Sequence, residues 1–557
     1  MKKQLLLISL FVLIVQVSFA QTQRRVLVEE ATNASCGPCA AQNPAFDALL
    51  QQNAEKVAVI KYHASWPGTD PMYSHNPVDN GYRITYYGIS GVPTGVMEGT
   101  YVNSPSSFSQ SLIDQYYNIP APFELDMYHY LSPGEDSIFV VTRIRAAQDI
   151  SEDNMRAYAV IVEKHISFTS PPGSNGEKNF YDVMKKILPQ KSGVGIMEEW
   201  QDGEYQTFIY GWKLENVYDI DELSVIGFIQ DNDDKDVKQS AISSSTPFAP
   251  IYANDAAALG ISNLTETNCM GYASPEITIA NFGSDPLTAV DIVYSVNGEA
   301  AVTYNWTGNL AGLQTQKVML PQIDFAVLDE NELVVTLENP NGSSDEYPAN
   351  NSSSYMFDAA ITTPNEVFLM IKTDDHPEDI TWEVSSSAGE VVFEGGPYSE
   401  SGVIINESMV YDVSDCYEFT IYDSQGDGIQ APGFFALYYG SGTQIVTGTA
   451  FGSEKRGQYA VDATVSVNEL NSGKNRIELF PNPAGDQATI SMQLVQDDEV
   501  EIAVLNSLGQ HAAVLFKGKL ARGVHEIPAD LSQLNRGIYY LMITGEKTHV
   551  IQKIIRK

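Results

Sequence analysis

Four cysteines, Cys36, Cys39, Cys269 and Cys416, are all the thiols in a chain of 557 residues, and that scarcity limits its fold more than any other feature. Small exported domains without a sufficient core are stapled by many disulfides. Here each domain has to be stable through its own buried apolar face. Export itself is expected from the first twenty residues. They combine Lys2 and Lys3, an apolar run from Leu5 to Val15, and Ser18 and Ala20 at the cleavage positions of a secretory signal. On this reading the mature chain begins at Gln21. The apolar run is short for a membrane span, and no later stretch approaches the ~20 consecutive apolar residues one needs, so no transmembrane segment is expected.

Charge divides the mature chain in two. Residues 21–471 hold 20 Lys and Arg against 62 Asp and Glu, whereas 472–557 hold 10 against 9. An acidic body offers no basic stripe to neutralise phosphates, so no nucleic-acid partner is expected. The balanced tail is compositionally foreign to the rest.

The pattern along the chain changes once near the start and then stays β-like. From Arg25 to Thr100, Val26-Leu27-Val28 reads as a strand, Phe46, Leu49 and Leu50 fall at helical spacing, and Val57-Ala58-Val59-Ile60 reads as a second strand. That alternation belongs to an α/β layer. From about Phe123, short alternating strands such as Ser137–Val141 and Ala157–Val162 are separated by Pro, Gly and acidic turns. Linker composition at Ser243–Pro250, Thr362-Thr363-Pro364 and Val465–Lys474 sets the remaining boundaries. The expected order is a signal peptide at 1–20, an α/β domain at 21–122, a β-sandwich at 123–250, an immunoglobulin-like sandwich at 251–362, a β-sandwich with an Asp-rich loop at 363–466, and a closing β domain at 472–557.

The first of these domains carries Cys36-Gly37-Pro38-Cys39 between its strand and its helix. At a helix start, backbone N–H groups and the helix dipole stabilise a thiolate, which makes Cys36 the nucleophile. Cys39, one turn further in, is placed to resolve a mixed disulfide. The same spacing serves a static disulfide, or half a zinc site completed by His63 and His75. All three readings stand at this point.

Two further features resemble the thioredoxins. Pro44 sits eight residues after Cys36, where that family carries a helix-kinking proline, and Tyr87-Gly88-Ile89-Ser90-Gly91-Val92-Pro93-Thr94 resembles its cis-proline loop. The resemblance implies an α/β thioredoxin-like domain followed by several all-β domains. It also implies a cis Val92–Pro93 peptide beside the sulfurs that pairs with a bound substrate chain, and a buried acid that relays the Cys39 proton. Glu30 is the candidate for that acid, with Glu29 as the alternative. Ser35 departs from the aromatic residue usual before the first cysteine, and His63–Tyr82 is expected to form a loop over one edge of the site. Three stretches, Val28–Thr32, Lys61–Gly68 and Asn179–Met184, resemble the outer-membrane-protein-28-like family over residues 22–245, which implies an envelope or surface location.

Cys269 and Cys416 fall in different expected domains, so buried free thiols are the simpler expectation for them. Asp423-Ser424-Gln425-Gly426-Asp427-Gly428 gathers carboxylates and glycines in one tight loop, and hard oxygens at that density suit calcium on Asp423 and Asp427. An acidic hairpin turn is the alternative. No other cofactor is required.

The last segment opens with Leu479-Phe480-Pro481-Asn482-Pro483-Ala484, passes through Val500–Gln510, and ends in Gly537-Ile538-Tyr539-Tyr540-Leu541 and Lys553-Ile554-Ile555-Arg556-Lys557. These blocks resemble the type A sorting domain of the type nine secretion system. The implied partner is that machinery, and the implied route is Sec export to the periplasm, then transfer to the cell surface or outer membrane, or release. Two functions are compatible with this reading. The first is thiol-disulfide exchange through Cys36 and Cys39 on a protein disulfide. The second is a non-enzymatic surface binding or adhesion protein whose domains serve as scaffold for an unidentified ligand. Fold alone does not choose between them.

Overall fold

The computed structural model describes residues 22–440, 442–463, 476–480, 482–494, 497–505, 511–545 and 549–557. The signal segment 1–20 and the polar linker Val465–Lys474 lie outside the described residues.

The first part opens with β1 (Val26–Thr32), α1 (Gly37–Gln52), β2 (Val57–His63), α2 (Pro71–His75), α3 (Pro77–Tyr86), β3 (Thr94–Met97), β4 (Tyr101–Asn103) and α4 (Gln110–Tyr117). It continues through β5 (Phe123–Leu131), β6 (Ser137–Ala146), β7 (Ile150–Ser151), β8 (Met155–Ser167), β9 (Asn179–Leu188), β10 (Val194–Gly195), β11 (Glu199–Trp200), β12 (Tyr205–Lys213), β13 (Leu223–Asp231) and β14 (Val237–Ile242). Every residue of β1 and β2 is buried. The first half of each strand is an apolar, largely β-branched run that needs cover on both sheet faces, and the buried charged residues that follow, Glu29, Glu30, Lys61 and His63, are each paired. Val26, Val28, Val57 and Val59 meet Phe46 and Leu50 of α1 and Ile113 of α4, while Leu27, Ala58 and Ile60 share a core with Ile84 of α3.

The expected fold class is corrected here. Strand makes up 52% of the structure and helix 11%, and no clear α/β thioredoxin-like domain stands apart among the described residues. Instead β1 to β4 are one end of a nine-stranded sheet in the order β14-β13-β8-β9-β2-β1-β3-β4, with β10 added on β8. β9 joins β2 in parallel through Lys61 and Val183. The physical reason is burial: β2 is buried along its whole length, so the backbone N–H and C=O groups of its free edge need strand partners, and these come from further along the chain. A second sheet, β12-β6-β5, covers the far part of the first. Its Met127, Ile138 and Val140 pack on Ala159, Ile161 and Val225.

Three β units follow, each built on two main sheets. In the first, Ala256–Ser262, Glu276–Asn281 and Thr315–Met319 form a three-stranded sheet opposite a five-stranded one centred on Glu330–Glu338 and Leu287–Val296. The next has five- and four-stranded sheets built on Asp415–Asp423 and Glu366–Lys372. The last pairs three strands around Gln487–Leu494 with four around Asp498–Leu505. Cys269 and Cys416 are not free thiols: they form a disulfide between the first two of these units. Strand Thr267–Asn268 runs alongside Ser352–Ala359, and Thr267 Oγ1 also donates to the Gln458 carbonyl at 3.0 Å, which brings the two cysteines together.

The first part contacts the next unit through a ring cluster. Tyr205 of β12 stacks on Tyr347 at 4.1 Å, and its hydroxyl donates to Asp255, whose other oxygen accepts from Asn350 Nδ2 at 2.9 Å. Burial pushes the Asp255 carboxyl up to about 6 from its ordinary 3.8, against the two hydrogen bonds that pull it down. The folded protein therefore takes up this proton at higher pH than the unfolded chain, and stability gained below about pH 6 is lost as pH rises through it. We expect this group to make the folded protein about 1–3 kcal/mol more stable near pH 4.5 than near pH 8, because protonation relieves the cost of burying its charge. Asp255→Asn should flatten that slope in calorimetric melting across the same range.

Candidate functional site

The dithiol sits where β1 runs into α1. Asn33 shapes the turn: its Nδ2 donates to the carbonyls of Ala64 at 2.8 Å and Gly68 at 3.1 Å, and its Oδ1 accepts from Ser35 N at 2.7 Å. Cys36 is the N-cap of α1 in extended backbone, and its sulfur accepts from the Cys39 amide at 3.0 Å. Pro38 occupies the first turn, where a missing N–H costs nothing. Cys36 and Cys39 are joined in a disulfide. The Val92–Pro93 peptide is cis, and the Val92 carbonyl lies 3.4 Å from the Cys36 sulfur. Cys36, Cys39 and Pro93 are thus brought together.

Glu30 is fully buried beside Lys61, 2.9 Å from its ammonium, and Lys61 also pairs with Asp47 on α1. Its Oε1 has no hydrogen-bond partner, and burial raises its pKa in spite of Lys61. Glu29, the alternative acid, points to the opposite side of the sheet, where it is held by Arg83 at 2.7 Å and by the Tyr87 hydroxyl. The two neighbours alternate across the strand, so only Glu30 shares the Lys61 face. His63 gives its Nδ1 to Asp70 at 2.7 Å, and His75 lies 3.5 Å from Lys185 Nζ and 3.4 Å from the Tyr218 hydroxyl. Both sulfurs a zinc site would need are spent in the disulfide in this form.

Cover over the dithiol turn comes from an element that sequence reasoning missed. The loop between β8 and β9 crosses the dithiol turn: Asn175 Nδ2 donates to the Cys36 carbonyl at 3.1 Å, Asn175 N to the Ala34 carbonyl at 3.2 Å, and Ser174 N to Ser35 Oγ at 3.0 Å. Gly173 packs so close that a Cβ there would stand 2.1 Å from the Ala34 oxygen. Cys36 is left 1% exposed. The expected His63–Tyr82 cover contributes as well, through the Thr69 carbonyl, which accepts from Ser35 Oγ at 2.6 Å. The Pro171-Pro172-Gly173 run was the available signal for a loop this close to backbone.

The second candidate site is different in kind. Asp423 is buried and its Oδ1 accepts from Gly426 N at 2.6 Å and Asp427 N at 3.2 Å, so that oxygen closes its own loop. Asp427 faces solvent. Asp379 comes alongside through Ser424, whose hydroxyl donates to it at 2.5 Å. The donors fit a hard cation in part only, because calcium takes six to eight oxygens.

Residues 478–557 match the secretion system C-terminal sorting domain. The chain is therefore a type-nine-sorted protein of β-rich domains, directed to the cell surface or secreted, with that secretion machinery as its partner. No helix among the described residues is long and apolar enough to cross a membrane. No curated protein matches the chain. Among solved structures it is similar to HBP35 of Porphyromonas gingivalis, at 13% identity and a TM-score of 0.33 over 54% of this chain and 99% of that one. It is also similar to protein AGR_C_4864 from Agrobacterium tumefaciens, at 13% identity and a TM-score of 0.28 over 41% and 98%. A third is the CARDB domain of the PF1109 protein from Pyrococcus furiosus, at 15% identity and a TM-score of 0.17 over 21% and 95%.

Proposed function

We propose that this exported protein exchanges disulfides through Cys36 and Cys39. The observation that carries the reading is the position of the Cys36 sulfur, capping α1 with the Cys39 amide 3.0 Å away. A thiolate formed there would be stabilised by the helix N-terminus. In the reduced form the Cys36 thiolate attacks one sulfur of a substrate disulfide. The substrate S–S bond breaks, the departing substrate sulfur leaves as thiolate and takes a proton, and a mixed disulfide forms. Cys39, losing its proton to Glu30, then attacks the Cys36 sulfur and releases the second substrate thiol. Two electrons pass from protein to substrate, and an external dithiol reductant resets the pair. With a substrate dithiol the same steps run in reverse from the disulfide form.

A second reading, a surface binding or adhesion protein with the dithiol as a static bond, is favoured by the 1% exposure of Cys36 beneath Gly173–Asn175. Insulin-disulfide reduction by residues 21–557 with dithiothreitol separates the two. Exchange predicts turnover that Cys36→Ser reduces to the uncatalysed rate; equal inertness of wild type and variant supports the scaffold. The Sec route to the periplasm is inferred from the basic start and apolar run at 2–15, and kinship of residues 22–245 with the outer-membrane-protein-28-like family from the three motif stretches.

A further inference from the structure

A cavity of 250 Å³ opens between the end of α1 and the sheet, away from the dithiol turn. Leu50, Val57, Val59, Val162, Ile226 and Ile242 make its apolar wall. The first five of these are buried, whereas Ile242 stands at the mouth, 39% exposed. Its volume falls just short of the roughly 300–1,000 Å³ of drug-sized sites, so an occupant would be small.

The polar end has an imbalance of charge. Asp47, Asp182 and Lys164 reach the cavity. Lys61, behind them, is committed to Glu30 and Asp47. Lys164 is exposed at the rim, 3.4 Å from the Asp221 carbonyl and 3.9 Å from Glu222. Asp182 is half-buried and makes no hydrogen bond or ion pair among the described residues, and desolvation pushes it up to about 7 against the pull of Lys61 and Lys164. Three carboxylates, Glu30, Asp47 and Asp182, thus face two ammonium groups that already have partners: Lys61 with Glu30 and Asp47, and Lys164 at the rim with the Asp221 carbonyl and Glu222. Tyr181, also on the lining, stacks on His165 at 4.9 Å and adds no charge.

We propose that this cavity binds a small organic cation: an ammonium group on an apolar body of a few carbons, with the ammonium against Asp182 and the body against Leu50, Val59 and Ile226. An apolar body recovers the cost of an apolar hollow in contact with water. A single positive charge supplies the partner Asp182 lacks. An anion would have to approach Asp182 and Asp47 past a rim lysine that is already engaged, and a neutral ligand would leave Asp182 without a partner among the described residues. The inference is independent of whether the dithiol turns over.

The test is calorimetric titration of residues 21–557 with n-hexylammonium, and with hexan-1-ol and hexanoate as neutral and anionic counterparts. At about pH 8 the amine should bind at least roughly tenfold more tightly than the alcohol, and hexanoate more weakly than either. Lowering the pH to about 6 protonates Asp182 and should weaken the amine by about tenfold with no change for the alcohol. Asp182→Asn should bring the amine down to the alcohol's affinity. Asn is a fitting replacement because Asp182 has φ 52, a region Asn tolerates. Should that variant not fold, Ala54→Trp, at an exposed lining position, should plug the mouth and remove binding of amine and alcohol alike. Hexanoate binding as tightly as the amine, an amine affinity indifferent to both Asp182→Asn and pH, or no binding heat at millimolar amine would each overturn the proposal.

Discussion

Replacing Arg83 with alanine is expected to destabilise the nine-stranded sheet by about 3–5 kcal/mol. Arg83 is fully buried on α3, and its guanidinium joins elements distant in sequence. It donates to Glu29 on β1 at 2.7 and 3.1 Å, to the Tyr87 hydroxyl at 2.8 Å and to Gln230 on β13 at 3.0 Å. The rings of Tyr86, Tyr87, Tyr158 and Phe228 surround it, their centroids 4.8–5.2 Å from the guanidinium carbon. The size of the effect comes from what is left behind: Glu29, itself buried, would keep a charge with no cation and no water. Arg83→Met combined with Glu29→Gln removes both charges, so it should recover most of the loss. Urea denaturation followed by tryptophan fluorescence measures the difference. A loss below about 1 kcal/mol in the single variant would show that the pair is not what joins α3 to the sheet.

The second large effect is expected at Cys269–Cys416. The bond closes a loop of 147 residues, and the chain-entropy account assigns such a loop about 3–5 kcal/mol, through restriction of the unfolded chain. It also sits in a polar seam between two units. The Cys269 amide donates to Gln458 Oε1 at 3.2 Å, Tyr272 OH to the Ser387 carbonyl at 3.2 Å, and Lys455 meets Glu266 at 2.6 Å. Exposed ion pairs of this kind are worth little alone. The covalent bond is therefore expected to hold the seam. Cys269→Ser with Cys416→Ser should lower the melting of residues 251–463 and split one calorimetric transition into two, with the transition of residues 22–245 unchanged. A single unshifted transition would mean that the noncovalent seam suffices.

How much of this was legible depends on how far apart the interacting residues are. The strands at Val26–Val28 and Val57–Ile60 and the helical face at Phe46, Leu49 and Leu50 are local patterns, and β1, β2 and α1 lie there. The cis geometry at Val92–Pro93 was implied by its motif, and the tail was read from blocks in their order. The α/β class is overturned because the change of pattern near residue 122 is local, whereas the hydrogen bonding of one sheet runs across it. An unpaired β2 edge takes β9, more than a hundred residues later, as readily as any nearer strand. Cys269 and Cys416 looked free for the same reason: nothing within either strand indicates its partner.

The candidate site divides in the same way. Sequence by itself determined the chemistry on offer: two thiols at a helix start, a following proline loop, a buried-type acid at Glu30 or Glu29, and a sorting tail. Periodicity and spacing encode such features because they arise between residues a few positions apart. Only the tertiary structure decided which acid shares a face with Lys61, that Gly173–Asn175 closes over the dithiol turn, and that Asp182 reaches a largely apolar hollow with no partner among the described residues. Each of these depends on which side chains meet across the completed sheet. Burial, and with it the free energy of a charge, is a property of that meeting and not of the local chain.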